Sequence, residues 1–161
     1  MVPARRSEGE RMAKKKKIAR KMIKLAGSVP LFQALTKRQL RQLLRVGKEV
    51  EFPAGATIVE EGLDAMDFYL ILLGEAEVFV HGRRRRAIGP GDYFGEISVI
   101  DGGPRSATVM AKARVVALRL DRPQFMRLLD REGSIGRKIL LVMSQRLRAA
   151  EGAPARSPGF F

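Results

Sequence analysis

The sequence predicts an α+β fold in which short antiparallel strands form a compact barrel or sandwich between N-terminal and C-terminal helices. Three observations carry this. Apolar residues recur with helical spacing before Gly47 and after Asp121, and with β-like spacing between Glu49 and Asp121. Turn signals punctuate the β-like stretch at short intervals: Pro53-Ala54-Gly55, Gly74-Glu75, His81-Gly82 and Gly89-Pro90-Gly91-Asp92. A chain of 161 residues with 45% hydrophobic content is long enough for one domain with a core and some tail. We therefore expect a basic arm and helix over 1–28, a folded domain over 29–151 and a disordered tail over 152–161. No internal repeat is visible.

Each element has a local reason. Residues 1–9 read as a loose tail and 10–26 as a basic helix, with Ile18, Met22 and Leu25 on one narrow stripe and Gly27 as its stop. Thr36 and Gln39 form a capping box for a helix over 36–46, whose Leu40, Leu43 and Leu44 share a face. Strands follow at Val50–Phe52, Thr57–Val59, Phe68–Leu73, Ala76–Val80, Arg83–Ile88, Ala107–Met110 and Val115–Leu120. Asp121 with Gln124, and Pro123 in the first turn, start the next helix, which presents Phe125, Leu128 and Leu129. Gly133 interrupts. A longer helix over 134–150 is expected to turn Ile135, Ile139, Val142 and Leu147 inward and Arg137, Arg146 and Arg148 outward.

Composition removes several function classes. The chain has no Cys, so disulfides, thiolate catalysis and cysteine metal sites are not available, which suits a reducing cytoplasm. His81 is the single His, so a metal site built on several imidazoles is not available either. A cytoplasmic protein is expected, because no apolar run is long enough to span a membrane and no apolar signal core follows the basic start. The net charge of +14 is uneven: residues 1–24 hold ten basic and two acidic side chains, more than half of the excess. The basic helix either packs its stripe on the body and solvates its lysines, or meets nucleic acid, an acidic partner or a membrane surface.

The chemical specificity concentrates in residues 94–109, Phe-Gly-Glu-Ile-Ser-Val-Ile-Asp-Gly-Gly-Pro-Arg-Ser-Ala-Thr-Val. Gly95 and Glu96 stand where a strand ends and a short helix over 96–100 begins, and a helix N-terminus suits an anion. Small residues, Gly95 and Ser98, allow close approach of backbone amides. Arg105 adds a permanent planar cation suited to two phosphate oxygens, and Ser106 adds a hydroxyl. An ionised Glu96 would repel phosphate and only accepts hydrogen bonds, so it should face a donor such as a ribose hydroxyl. Asp101-Gly102-Gly103-Pro104 bends the chain so that Arg105 returns toward Glu96. The residues alone leave two readings open: a surface loop with an ordinary Glu–Arg pair, or a site for a nucleotide gripped by ribose and phosphate.

The segment resembles the phosphate-binding cassette of cyclic nucleotide-binding domains, whose pattern is F-G-E, a small apolar helix, then P-R-x-A-T-V. Phe94-Gly95-Glu96 and Pro104-Arg105-Ser106-Ala107-Thr108-Val109 match it, and Phe52-Pro53-Ala54-Gly55, Glu61-Gly62, Gly74-Glu75 and Gly89-Pro90-Gly91-Asp92 match the family's strand and turn landmarks. The resemblance covers roughly residues 30–150. It implies an antiparallel eight-stranded β-roll flanked by helices, and a ligand site formed by Phe94, Gly95, Glu96, Ile97, Ser98, Arg105, Ser106 and Ala107. Glu96 would take the ribose 2′-OH, Arg105 the cyclic phosphate, and Val78 and Ala87 would line the base side. Ser106 after the cassette arginine leans toward cAMP, with cGMP as the other candidate. The resemblance also implies a sensor that works through helix rearrangement with a protein partner, and no metal.

Two departures from the pattern stand out. The long-helix positions that contact the base in some relatives are Ala150 and Glu151 here; Arg146 or Arg148 either replaces them by stacking on the purine or is simply exposed. The residues after 152 are too few and too rich in Gly and Pro for a helix-turn-helix, so a freestanding sensor is expected. A metal-dependent cupin enzyme lacks its His ligands here, and no Ser has a nearby base. The remaining alternative is a basic protein that binds nucleic acid or an acidic partner weakly through the arm and Arg83–Arg86, on a roll with a degenerate pocket. Neither cluster contains aromatics for base stacking.

Overall fold

The computed structural model describes residues 7–25 and 36–152. Strand β1 (Lys48–Phe52), β8 (Val115–Asp121), β3 (Asp67–Leu73) and β6 (Tyr93–Phe94) form one sheet in that order. Strands β2 (Thr57–Val59), β7 (Thr108–Ala111), β4 (Ala76–Val80) and β5 (Arg83–Ile88) form the other. Every pairing is antiparallel. Among the described residues this makes the eight-stranded roll that was expected. The eighth strand, β6, is only two residues long and has too little sequence to show a period.

The two sheets face each other across a core of Val59, Tyr69, Ile71, Ala76, Val78, Ile88, Phe94, Val109, Ala111, Val115 and Ala117. The β1–β8–β3–β6 sheet also buries its outer face, where Phe68, Leu70, Leu72, Val116, Leu118 and Leu120 meet Tyr93, Val99 and Phe125. That is why β3 reads Phe-Tyr-Leu-Ile-Leu without alternation: Phe68 through Leu72 are all buried. Phe68 stacks on Phe125 at 4.7 Å and on Tyr93 at 5.7 Å between ring centres. The β2–β7–β4–β5 sheet buries one face only, and in β5 Arg83 to Ala87 are exposed while Ile88 is buried.

Helices roof the outer face of the first sheet. Helix α1 (Glu8–Leu25) and α2 (Lys37–Val46) precede the roll, α3 (Glu96–Asp101) lies between β6 and β7, and α4 (Arg122–Arg131) and α5 (Gly133–Ala150) follow it. Helix α1 starts earlier than residue 10. Ser7 and Glu10 form a capping box, with the Glu10 amide donating to Ser7 Oγ at 3.4 Å and the Ser7 amide to Glu10 Oε2 at 3.1 Å. The predicted box at α2 is present, with Thr36 N donating to Gln39 Oε1 at 2.7 Å. So is the one at α4, where Gln124 N donates to Asp121 Oδ1 at 2.8 Å and Asp121 N to Gln124 Oε1 at 2.9 Å. Each box answers amides that have no carbonyl a turn earlier, a contribution of about 1 kcal/mol.

The last helix differs from expectation. Leu147 is not inward: it is 60% exposed, and Leu140 and Leu141 are exposed with it. Met143 packs against the outer core. Helical periodicity detects an apolar stripe but not whether a surface lies opposite it. The side chains of Ile135, Ile139, Val142 and Arg146, those of Met22, Leu25, Leu40 and Leu43, the Gly27 stop and the 153–161 tail lie outside the described residues.

Candidate functional site

Strand β6 delivers the cassette. Phe94 is buried against Tyr69, ring centres 5.1 Å apart, and the chain then turns at Gly95 with φ 87° into α3. Only glycine serves at Gly95: a Cβ there would collide with the Asp67 carbonyl oxygen and with Arg105 Nη1, besides the strain of the left-handed backbone. The Val99 amide donates to the Gly95 carbonyl at 3.3 Å, so the amides of Glu96, Ile97 and Ser98 have no carbonyl a turn earlier in the helix. Gly102 closes α3 by donating to Ser98 O at 3.0 Å, and Gly103 N donates to Asp101 Oδ1 at 2.8 Å.

That bend brings Arg105 back beneath α3. Its backbone is pinned to the loop after β2, with Arg105 N donating to Leu63 O at 3.0 Å and Gly62 N to Arg105 O at 2.8 Å. Arg105 is 4% exposed, and its Nη1 donates to Ser98 Oγ at 2.8 Å and to Gly95 O at 3.3 Å. Nε and Nη2 are buried without a hydrogen-bond partner. Burial pulls the Arg105 pKa below its ordinary value, while Tyr69, Asp67 and Glu96 pull it back up. Burial likewise raises the Tyr69 phenol, helped by the negative charge of Asp67.

Arg105 and Glu96, itself 3% exposed, line one small hollow of about 70 Å³ that opens to solvent. Phe94, Gly95, Ile97, Ser98, Ser106, Ala107 and Val78 share that lining. The expected cassette residues are thus brought together, with a carboxylate and a guanidinium in one concave surface that is open on a side.

Ala87 is not among them. Arg86 lines the hollow instead, together with Val59, Tyr93 and Val109. The cause is a β-bulge in β4–β5. Val80 pairs with Arg83 and Phe79 with Arg84, but Val78 pairs with Arg86 and Ala76 with Ile88. Unbulged pairing from the His81-Gly82 turn would put Ala87 opposite Ala76, whereas the extra residue moves Ile88 there. Alternation of apolar residues around Val59 and Val109 could have pointed to those two; nothing local announces the bulge. Nor was Arg122 foreseen: its Nε donates to the Val99 carbonyl at 2.8 Å, so α4 supports the cassette helix directly. On α5, Arg148 is exposed and none of its described residues lines the hollow.

A β-roll that buries one carboxylate and one guanidinium at a strand–helix bend sets an acceptor and a cationic donor in one concave surface. Residues 49–132, more than half of the chain, match the family model for the cyclic nucleotide-binding domain, and the chain belongs to that family. It is 39% identical over 107 residues to a cAMP-dependent protein kinase regulatory subunit of Aspergillus fumigatus, an alignment covering 63% of this chain and 25% of that one. The chain spans about a quarter of the length of the curated relatives it matches. Among solved structures it resembles the catabolite activator protein of Thermus thermophilus, with 29% identity, a TM-score of 0.71, and 76% of this chain and 60% of that one covered. It also superposes on a structure described as Sp-2Cl-cAMPS bound to PKAR CBD2, with a TM-score of 0.71, 21% identity, and coverage of 87% and 95%. That second likeness concerns the fold. No helix among the described residues is long and apolar enough to cross a membrane.

Proposed function

We propose that this chain binds a cyclic mononucleotide, cAMP in preference to cGMP, and acts as a regulatory receptor rather than an enzyme. The observation that carries the reading is Arg105. A buried arginine with two donor atoms unmet is costly, by about 1–3 kcal/mol for each unmet group, unless a ligand accepts from it. A cyclic phosphate presents two acceptor oxygens in the plane a guanidinium prefers. Glu96 then takes the ribose 2′-OH, Ser98 and Ser106 flank the phosphate, and Val59, Val78, Val109 and Arg86 face the base. Ser106 is the basis for preferring cAMP.

Signalling would follow from a population shift. Leu140, Leu141 and Leu147 leave α5 with exposed apolar surface, and a ligand that binds better when this helix covers the hollow would favour the covered state. The kinase regulatory subunits it resembles suggest a protein as the recipient of that signal.

Calorimetric titration with cAMP and cGMP in parallel tests the reading. The expected result is tighter binding of cAMP, a loss of about 2–5 kcal/mol in Arg105→Leu, and in Glu96→Gln a reduced preference for the ribose over the 2′-deoxyribose nucleotide. Failure of both nucleotides to bind, or unchanged affinity in Arg105→Leu, would overturn it.

A further inference from the structure

The helical roof over the β1–β8–β3–β6 sheet is incomplete. Between α1 and the ends of β3 and β8 lies a groove of about 340 Å³. Its floor is apolar, formed by Ile18, Leu72, Leu73 and Val116, and its rim is cationic, formed by Lys14, Lys17, Lys21 and Arg114. Leu72 is 5% exposed while its neighbour Leu73 is 43% exposed, so the sheet surface emerges from under the helix at this point. Covering the exposed part of that side chain would remove apolar surface from water and so favour an occupant.

The rim cations are not equivalent. Lys14 reaches Glu49 at 2.7 Å and Glu51 at 2.8 Å, and Arg114 reaches Glu51 at 2.6 Å. The Lys14 pairs tie α1 to β1, and the Arg114 pair ties β1 to the start of β8. Among the described residues Lys17 and Lys21 form no ion pair, so the open end of the groove combines uncovered leucine with unneutralised charge. Its complement is a segment with an apolar side chain flanked by carboxylates.

The geometry distinguishes this occupant from other anions. A phosphate polymer would answer the lysines but leave the floor wet. A bilayer surface is flat, whereas the floor is recessed beside α1, and that helix turns Ile18 toward the outer core. An extended or helical peptide can lower one side chain into the groove and keep its carboxylates at the rim.

We propose that the groove between α1 and the β3–β8 end docks an acidic segment of a partner protein, seating an apolar side chain on Leu72 and Leu73 and carboxylates on Lys17 and Lys21. The groove lies on the face of the sheet opposite the roll interior, so this inference stands apart from the nucleotide reading.

Fluorescence anisotropy of the full chain with a labelled Glu-Glu-Leu-Glu-Asp-Leu-Glu peptide at physiological salt tests it. Saturable binding is expected. It should weaken about tenfold or more, equivalent to about 1.4 kcal/mol, in Leu73→Ser, in the pair Lys17→Glu with Lys21→Glu, and when Ser replaces both leucines of the peptide. The charge-matched pair Arg83→Glu with Arg85→Glu on β5 should bind as before, and the groove variants should keep the circular dichroism spectrum and cooperative thermal unfolding of the parent, which reports that they fold. The proposal is overturned if the peptide does not bind, if the serine peptide binds equally well, or if the β5 pair loses as much. Displacement of the peptide by phosphatidylserine vesicles or duplex DNA at matched charge, more readily than by unlabelled peptide, would likewise overturn it and assign the surface to a membrane or a nucleic acid.

Discussion

The β1–β8–β3–β6 sheet and the β2–β7–β4–β5 sheet have the same number of strands but different surroundings. The first is packed on both faces, by the roll interior and by the helices; the second is packed on one, with the cationic side of β5 in solvent. The cassette hangs from the first. Phe94 of β6 runs directly into Gly95, the Asp67 carbonyl at the start of β3 sits against that glycine, and α4, which continues from β8, holds the Val99 carbonyl through Arg122. The second sheet contributes wall side chains such as Val78 and Arg86. Glu96 thus lies beside the doubly packed sheet, while Val78 and Arg86 belong to the sheet with one face in solvent.

The strongest way to break this comparison is through the doubly packed sheet. Phe68→Ala should cost about 3–5 kcal/mol of unfolding free energy, because the ring touches both Phe125 and Tyr93. Urea denaturation measures it, and a loss below about 1 kcal/mol would remove the distinction between the sheets. Arg105→Leu should act in opposite directions on ligand and fold. The unliganded variant should unfold at the same or a higher temperature, since it discards a buried cation with two unmet donors; a large drop in Tm would mean that the guanidinium is a structural strut.

A smaller effect should appear with acid. Hydrogen bonds from Lys14 and Arg114 hold the Glu51 carboxyl at about 2, against an ordinary value of 4.5. The folded-state pKa is depressed, so the stabilisation is present above about pH 4.5 and is lost as pH falls toward 2. The carboxylate is 39% exposed, so solvent screening limits the contribution to about 1 kcal/mol or less. Stability followed from pH 6 to 2 should decline less steeply in Glu51→Gln; parallel curves would show that the α1–β1 pairs contribute nothing. The smallest effect belongs to the outer face of the singly packed sheet. Arg83→Ala with Arg85→Ala should stay within about 0.5 kcal/mol of the parent by the same denaturation, and a larger loss would reveal a role for that face.

Local chemistry was readable before any packing was known. The Thr36–Gln39 and Asp121–Gln124 boxes depend on side chains three residues from the amides they answer, and the Gly95 turn depends on one residue's backbone freedom. The β4–β5 bulge was not readable. It exchanges Ala87 for Arg86 at the hollow, and a single extra residue in one strand leaves no mark on apolar periodicity when four consecutive residues are arginine. The exposure of Leu147 escaped for a related reason, since a stripe on a helix does not say what lies opposite it.

The sequence by itself determined the types of the elements other than β6, the caps of α2 and α4, the main turns, and the set of residues in the 94–109 segment, because each follows from interactions within a few residues. The tertiary structure decided that Arg105 is buried with two donors unmet, that Arg86 rather than Ala87 faces the hollow, that Arg122 supports the cassette helix from below, and that the roof beside α1 leaves Leu73 uncovered. These are properties of register and burial. They depend on which distant segments meet, and the chain's local pattern is compatible with several such meetings until the two sheets close on one another.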